Sequence, residues 1–469
     1  MAMGGGKCKA KGSLPGQTRS STSRLNKEKR MGKSREVSEA DVSGGGTISC
    51  HADVGERCRS ALVVVGTYHS VMAGLVYRRG KFGLLFSVKR HVGCINTVIA
   101  GEKYMASGGT DERICLFTNK SHGSKIGSLN KNFQSDKMES SASTAAASSD
   151  GSSLSLRLAD LGHVSSPSDA RCMKFTSNAQ FLLCGLADGQ LVMYRTRDWS
   201  VASSLPLHEK GISHICLHPG RNKSDGEALA VTCSAEDRHV AVVDLMRGKL
   251  LSKWKFSASI PVDLCSDKNC GSMTAQSTLK NEVGHRPSKR AKWERHDEPH
   301  LLKFSPSGQY LGVLSSHAMV IYETATMGAV AFYCAVAPFQ PQEELHVFCF
   351  LDDQTVLLGN ESGQFLGLYG PWGGRIHKPQ SVLTRVTSPV STGDSSDQVK
   401  RGIERHPTQH RTRLKGLHYV RGTVFSIDAA GAVIAWHSHN GSLGDGVELH
   451  YVCSANCQGR VTAMDVLVL

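Results

Sequence analysis

Short apolar runs rich in β-branched residues recur along the chain, separated by clusters of Gly, Asp, Asn and Ser. Leu62–Val65, Ile114–Phe117, Leu191–Tyr194, Val240–Val243, Met319–Tyr322, Phe365–Tyr369 and Val433–Trp436 are examples. Runs of this kind, bounded by turn residues, predict strands. No long window carries the 3.6-residue apolar stripe of a helix. The pattern therefore predicts an all-β protein. Four segments interrupt it. Residues 1–60 have almost no aliphatic side chain before Ile48, so they cannot offset the entropy of ordering and are expected to form a disordered arm. Residues 120–152, 266–297 and 371–412 are polar and are expected to be long loop insertions. Roughly 302 residues remain for the folded body, within 61–469.

That body repeats itself. Ser107-Gly-Gly-Thr-Asp111 leads through a turn to Phe117, Cys184-Gly-Leu-Ala-Asp188 to Tyr194, and Cys233-Ser-Ala-Glu-Asp237 to Val243. In each copy the Asp stands six residues before the end of the strand. Leu314–Tyr322, Gly359–Tyr369 and Ser426–Trp436 are degenerate copies, with Ser316, Gly363 and Ala430 at the Asp position. This is the WD40 unit, one four-stranded propeller blade. Seven blades over the folded body give about 43 residues each, within the usual period. A His precedes the first strand at His91, His163 and His208, so structural His–Asp pairs with Asp111, Asp188 and Asp237 are expected to pin the blade turns. No nucleophile recurs beside these pairs, which argues against catalysis. The six copies leave one blade to be made from both chain ends. Arg460–Leu469 reads as one strand, and Ala61–Thr67, Ser70–Tyr77 and Phe82–Lys89 as three more. The expected fold is a seven-bladed propeller closed by its termini.

Charge changes the picture. The formal net charge is +14, yet residues 1–36 alone carry +8, residues 286–295 +4 and residues 400–421 +6, leaving the rest at −4. Basic segments on a near-neutral body predict contact with a polyanion. The candidate contacts are Lys289, Arg290, Lys292, Trp293, Arg401, Arg405, Arg411 and Arg413. Trp293 among basic residues suits stacking on a base, and Lys289-Arg290-Ala-Lys292 also fits a nuclear-import signal. His406 and His410 read as parts of the solvated basic loop. The 15 cysteines lack a repeating framework and read as reduced thiols, many filling strands as small apolar residues. Cys265/Cys270 and Cys453/Cys457, with His406/His410 or His437/His439, match zinc spacing only loosely, so no metal and no cofactor is expected. Gly4-Gly-Gly-Lys7 lacks the full phosphate-loop spacing. No apolar run approaches the ~18–20 residues of a membrane helix, so no membrane contact is expected.

Several stretches resemble one WD40 family, the PAK-interacting-protein-like proteins, which include the maintenance-of-killer factor. Val65-Gly-Thr-Tyr68, His91-Val-Gly-Cys-Ile-Asn96 and Gly108–Ile114 look like its opening blades. The most specific stretch is Ala187–Tyr194, then Trp199, then His208–Gly211, and Leu217-His-Pro219 and Phe304–Gly308 sit where the family has similar turns. The resemblance covers roughly residues 61 to 469 outside the insertions. In that family the basic residues form a C-terminal tail, whereas here they stand at the N-terminus and in insertions. The resemblance implies a non-enzymatic scaffold of the nucleus and nucleolus that assists assembly of the large ribosomal subunit (pre-60S) and rRNA processing. Its partners would be assembly factors, ribosomal proteins and rRNA, and it would be a monomer within a larger particle. The resemblance also raises a signalling role, as a negative regulator that binds a p21-activated kinase.

Overall fold

The apolar runs are strands, and every regular element among the described residues is a strand. A computed structural model describes residues 57–120, 157–219, 229–257, 298–334, 344–375, 380–385, 408–440 and 446–469. All lie in the unit Val54–Leu469. The strands pair into seven antiparallel sheets that form the ring of a seven-bladed β-propeller. Blade 1 joins the chain ends: Val461–Val468 is innermost, with Ser60–Thr67, Val71–Arg78 and Lys81–Lys89 outward of it. Blade 2 is Ile95–Ala100, Tyr104–Gly109, Arg113–Lys120 and Arg157–Ser165. Blade 3 is Ala170–Phe175, Phe181–Leu186, Gln190–Arg195 and Val201–Pro206; blade 4 is His214–Leu217, Leu229–Ser234, His239–Asp244 and Lys249–Lys255. Blade 5 is Pro299–Phe304, Tyr310–Ser315, Ala318–Glu323 and Gly328–Cys334. Blade 6 is Leu345–Asp352, Thr355–Asn360, Phe365–Tyr369 and the short Gln380–Ser381. Blade 7 is Leu414–Val420, Thr423–Asp428, Ala432–Asn440 and Val447–Asn456.

The continuous apolar runs have a physical cause. Successive side chains of a strand point to opposite faces, and each face of a blade packs against a neighbouring blade. Ala61, Val63 and Val65 join a buried cluster with Phe425, Ile427 and Val433 of blade 7. Leu62 and Val64 of the same strand join Ile95, Val98 and Met105 of blade 2. Seven such clusters occur, one between each pair of adjacent blades. The outermost strands carry one exposed face: Lys81–Lys89 and Lys249–Lys255 are mostly exposed. Ten cysteines among the described residues are free thiols, and six of them lie buried in the middle strands or on the channel side. Burial pushes the Cys172 and Cys349 thiols up to about 12, so they act as small apolar residues.

Closure through the termini is explicit in the register. Val468 pairs with Ala61, Val466 with Val63 and Met464 with Val65. The Ser60 hydroxyl donates to the Leu469 carbonyl at 3.1 Å, and Thr462 Oγ1 donates to the Gly66 carbonyl at 3.0 Å. Pairing the two ends leaves no long open edge in the ring.

One expectation needs correction. Residues 371–412 are not a single loop insertion. Gly374–Arg375 pairs parallel with Gly328–Cys334 of blade 5, Gln380–Ser381 forms the outer strand of blade 6, and Leu383–Arg385 pairs parallel with Val447–Asn456 of blade 7. The chain is laced across three outer edges, and Arg385 is fixed to Glu448 at 2.8 Å. Polar composition hid this because an outer-edge strand has a solvent face and needs only backbone groups to pair. The expected arm and the insertions 120–152 and 266–297 lie outside the described residues, apart from Arg57 to Ser60 and Lys120.

Candidate functional site

In each blade the turn after the second strand and the chain entering the innermost strand stand at the same end of the ring. Polar side chains tie these two loops together. In blade 2, His91 Nδ1 lies 2.9 Å from Asp111 Oδ1, and His91 Nε2 lies 2.9 Å from Ser107 Oγ. The Val92 N–H also donates to Asp111 Oδ2 at 3.0 Å. Burial alone would raise the Asp111 carboxyl, but the hydrogen bonds from His91 and Val92 hold it below the usual value. In blade 4, His208 Nδ1 lies 3.0 Å from Asp237 Oδ2 and its Nε2 lies 3.0 Å from Thr232 Oγ1. Burial pushes the His208 imidazole below its ordinary value, partly opposed by Asp237.

The third expected pair does not form. His163 is exposed on the outer strand of blade 2, opposite Cys115. Asp188 is exposed and accepts from the Gln190 N–H and the Gln190 side chain, each at 3.0 Å. Ser168 occupies the histidine position instead, and its hydroxyl accepts the Asp188 N–H at 3.3 Å. The spacing explains the error. His91 precedes Ser107 by sixteen residues, and Ser168 precedes Cys184 by the same number. His163 stands five residues too early.

Blade 7 holds the most complete network, and the sequence reading missed it. His410 is buried, not part of a solvated loop. Its Nε2 lies 2.6 Å from Ser426 Oγ, its Nδ1 3.3 Å from Asp428 Oδ2, and the Trp436 indole N–H donates to Ser426 Oγ at 2.8 Å. The indole N–H donates to the Ser426 hydroxyl oxygen, that hydroxyl also reaches the Ile434 carbonyl at 3.4 Å, and His410 Nδ1 faces the Asp428 carboxylate as a close charge contact. Ala430 does occupy the turn position of Asp111, but the carboxylate comes from Asp428, two residues earlier. In blade 2 that place is Gly109, where an added Cβ would stand 3.1 Å from His91 Nδ1. The signal that finds His410 is again the sixteen-residue spacing, to Ser426.

These Ser–His–Asp sets resemble a hydrolase triad in connectivity alone. Ser426 and Thr232 are wholly buried and Ser107 nearly so. A nucleophile needs a substrate within reach, and here the hydroxyl is enclosed and already bonded. The networks hold loops.

At the same end of the ring a group of cations gathers. Arg411 is exposed and Arg413 partly so. Burial first, then the charges of Arg413 and Arg460, push the Lys415 ammonium below its ordinary value, with Glu361 opposing them. The Arg460 guanidinium sits 5.2 Å from the centre of the Tyr68 ring, and Tyr68 is 52% exposed. A cationic cluster beside an open aromatic ring can neutralise phosphates and stack on a base. Lys415 and Arg460 were not singled out from the sequence. Arg401, Arg405, Lys289, Arg290, Lys292 and Trp293 lie outside the described residues.

From this end a channel of about 1000 Å³ runs along the innermost strands. Among the described residues Lys174, Lys303, Lys415 and Arg171 line it against a single carboxylate, Asp465. Elsewhere, Glu344, His346 and Glu361 bring ligand atoms within 4.8 Å of one another. They form the one such metal-ligand group among the described residues, and Cys453, Cys457, His437 and His439 do not. No protein-family model matches the chain, and a search of curated proteins finds no match.

Proposed function

We propose that this protein is a non-enzymatic WD-repeat scaffold that binds partner proteins and rRNA during assembly of the large ribosomal subunit in the nucleolus. One observation carries the RNA part of this reading: Arg460 sits over the exposed Tyr68 ring, close enough to Lys415 to act on its charge together with Arg413, and Arg411 is exposed on the same entering loop at the end of the ring where the turns are pinned. The basic segments that the sequence adds to a near-neutral body act in the same direction. Phosphate neutralisation gives affinity and orientation with little sequence reading, which suits a platform inside a large particle. The resemblance of Ala187–Tyr194 and His208–Gly211 to the PAK-interacting-protein-like family supplies the cellular setting. Rigid pinned loops present partner surfaces at low entropic cost.

The test is sedimentation of tagged full-length protein from nuclease-treated and untreated nuclear extract, with mass spectrometry of the fractions. The reading expects the protein in the pre-60S fractions and its release by nuclease. Protein that stays at the top of the gradient and purifies with a kinase, indifferent to nuclease, contradicts it and supports the signalling adaptor.

A further inference from the structure

The middle of the channel has features that the scaffold reading does not use. Lys174, Lys303 and His418 occupy one register position on the innermost strands of blades 3, 5 and 7. They stand opposite Leu183, Gly312 and Phe425. The strand twist therefore brings two ammonium groups and an imidazole to one level of the channel. The Lys303 ammonium donates to the Leu417 carbonyl of blade 7 at 2.7 Å, so it reaches across the opening past blade 6. That carbonyl is neutral, and it is the one hydrogen-bond acceptor Lys303 has among the described residues. Among the described residues Asp465 is the sole lining carboxylate, and it is already committed. Its Oδ2 accepts the Ala100 N–H at 2.8 Å, while Oδ1 lies 4.0 Å from Lys174 and 3.9 Å from His418 Nδ1. One carboxylate thus faces two ammonium groups. His214, one strand away in blade 4, has a buried Nδ1 with no hydrogen-bond partner among the described residues.

We propose that the middle of the channel binds a compact oxyanion of phosphate size, held by Lys174 and Lys303 with His214 and His418 beside it. An ammonium taken out of water is costly unless it meets an anion, and a bound oxyanion supplies the missing charge. Burial pushes the Lys303 ammonium down to about 8, the direction expected of a cation without enough counter-charge. Burial also holds His214 well below its ordinary value, so the imidazole is neutral and can donate one N–H to an anion oxygen. A cation is excluded by the lysines, and an apolar ligand by the charge. The volume of about 1000 Å³ leaves room for the anion with bridging waters. The oxyanion is either free phosphate or the terminal phosphate of a larger small molecule.

The experiment titrates the full-length protein with inorganic phosphate and, separately, with tripolyphosphate, by calorimetry at constant ionic strength balanced with chloride. The variants are Lys303→Met, Lys174→Gln and, as a control on the exposed outer strand of blade 4, Lys249→Ala. Lys174 is partly exposed, so Lys174→Gln keeps the test sound if Lys303→Met does not fold. The expected result is saturable binding that weakens at least about tenfold in either channel variant and is unchanged in Lys249→Ala. Equal binding of both probes assigns free phosphate, and tighter tripolyphosphate binding assigns a larger phosphorylated ligand. No saturable binding, or binding that Lys174→Gln and Lys303→Met leave unchanged, overturns the site. Neither result bears on pre-60S association, which the gradient tests separately.

Discussion

Blade 7 and blade 3 share a backbone plan and differ in what holds their loops. In blade 7, Trp436, Ser426 and His410 form a buried chain of hydrogen bonds that ends with the His410 ring against the Asp428 carboxylate. In blade 3 the residues at the matching places are Tyr194, Cys184, Ser168 and Leu186, the turn carboxylate Asp188 is exposed, and among the described residues one side-chain hydrogen bond links the two loops, the 3.3 Å contact of Ser168 with the Asp188 N–H. Blade 3 relies instead on close backbone packing. Gly189 takes a φ of +86°, and a Cβ there would lie 2.1 Å from the His208 carbonyl. Blades 2 and 4 stand between these extremes, with the His–Asp pair but Phe117 and Val243 in place of the indole. A propeller blade thus has two ways to fix its turn, a buried polar relay or tight apolar and glycine packing. The first is more sensitive to removal of one member, because the partners left behind stay buried and unpaired.

That contrast can be broken by substitution. Asp428→Ala strands the His410 N–H in the core and should cost about 3 kcal/mol in urea unfolding. Asp237→Ala and Asp111→Ala should each cost about 2 kcal/mol, since their blades lack the indole but keep the His bond. Trp436→Phe converts blade 7 to the pattern of blade 2 and should cost about 1 kcal/mol beyond the change in packing. Asp188→Ala should cost less than about 1 kcal/mol, because its bonds are local and exposed. Equal losses at Asp428 and Asp188 would show that the relay does not set blade stability. The comparison sharpens in the reverse direction. Ser168→His with Cys184→Ser gives Asp188 a partner, and in that background Asp188→Ala should become the more costly change.

Acid acts on the same groups. Burial holds the imidazoles of His208, His214 and His418 below their ordinary value of 6.5, and pushes His300 down to about 4. The unfolded chain takes up these protons first, so stability is intact above 6.5 and falls as pH drops toward 4. Each such histidine contributes up to about 1.4 kcal/mol per pH unit in that window. The Asp111 and Asp428 carboxyls, held low despite their burial by hydrogen bonds from His91 and His410, add a further loss below about pH 4. Urea melts from pH 7.5 to 4.5 check this, and a flat profile would contradict the neutral buried histidines.

Much of this was legible in the residues, and the misses have physical causes. Alternation of apolar side chains with turn residues predicts strands, and the leftover strands at both ends predict the closing blade, because those signals are local. The phase of the polar relay is not local. Asp428 was overlooked because the turn position holds Ala430, and a carboxylate two residues earlier reaches the same imidazole from the strand end. His410 was overlooked because arginines surround it in sequence, although the blade buries it. Lys174, Lys303 and His418 meet only because the ring closes, and no spacing along the chain announces that level of the channel. Arg460 was missed for the same reason, since its partner Tyr68 comes from the other end of the chain.

The central claim is that the pinned end of the propeller contacts RNA phosphates. It is tested most directly by the salt dependence of binding to a mixed-sequence single-stranded RNA, for wild type and for a variant carrying Arg411→Ala, Arg413→Ala and Arg460→Ala. Each lost phosphate contact removes about 0.7 from the log–log slope on a single strand. The account predicts a slope shallower by about 2 in the triple variant, with weak discrimination between RNA sequences in both proteins. Identical slopes and identical affinities across the salt series would contradict it.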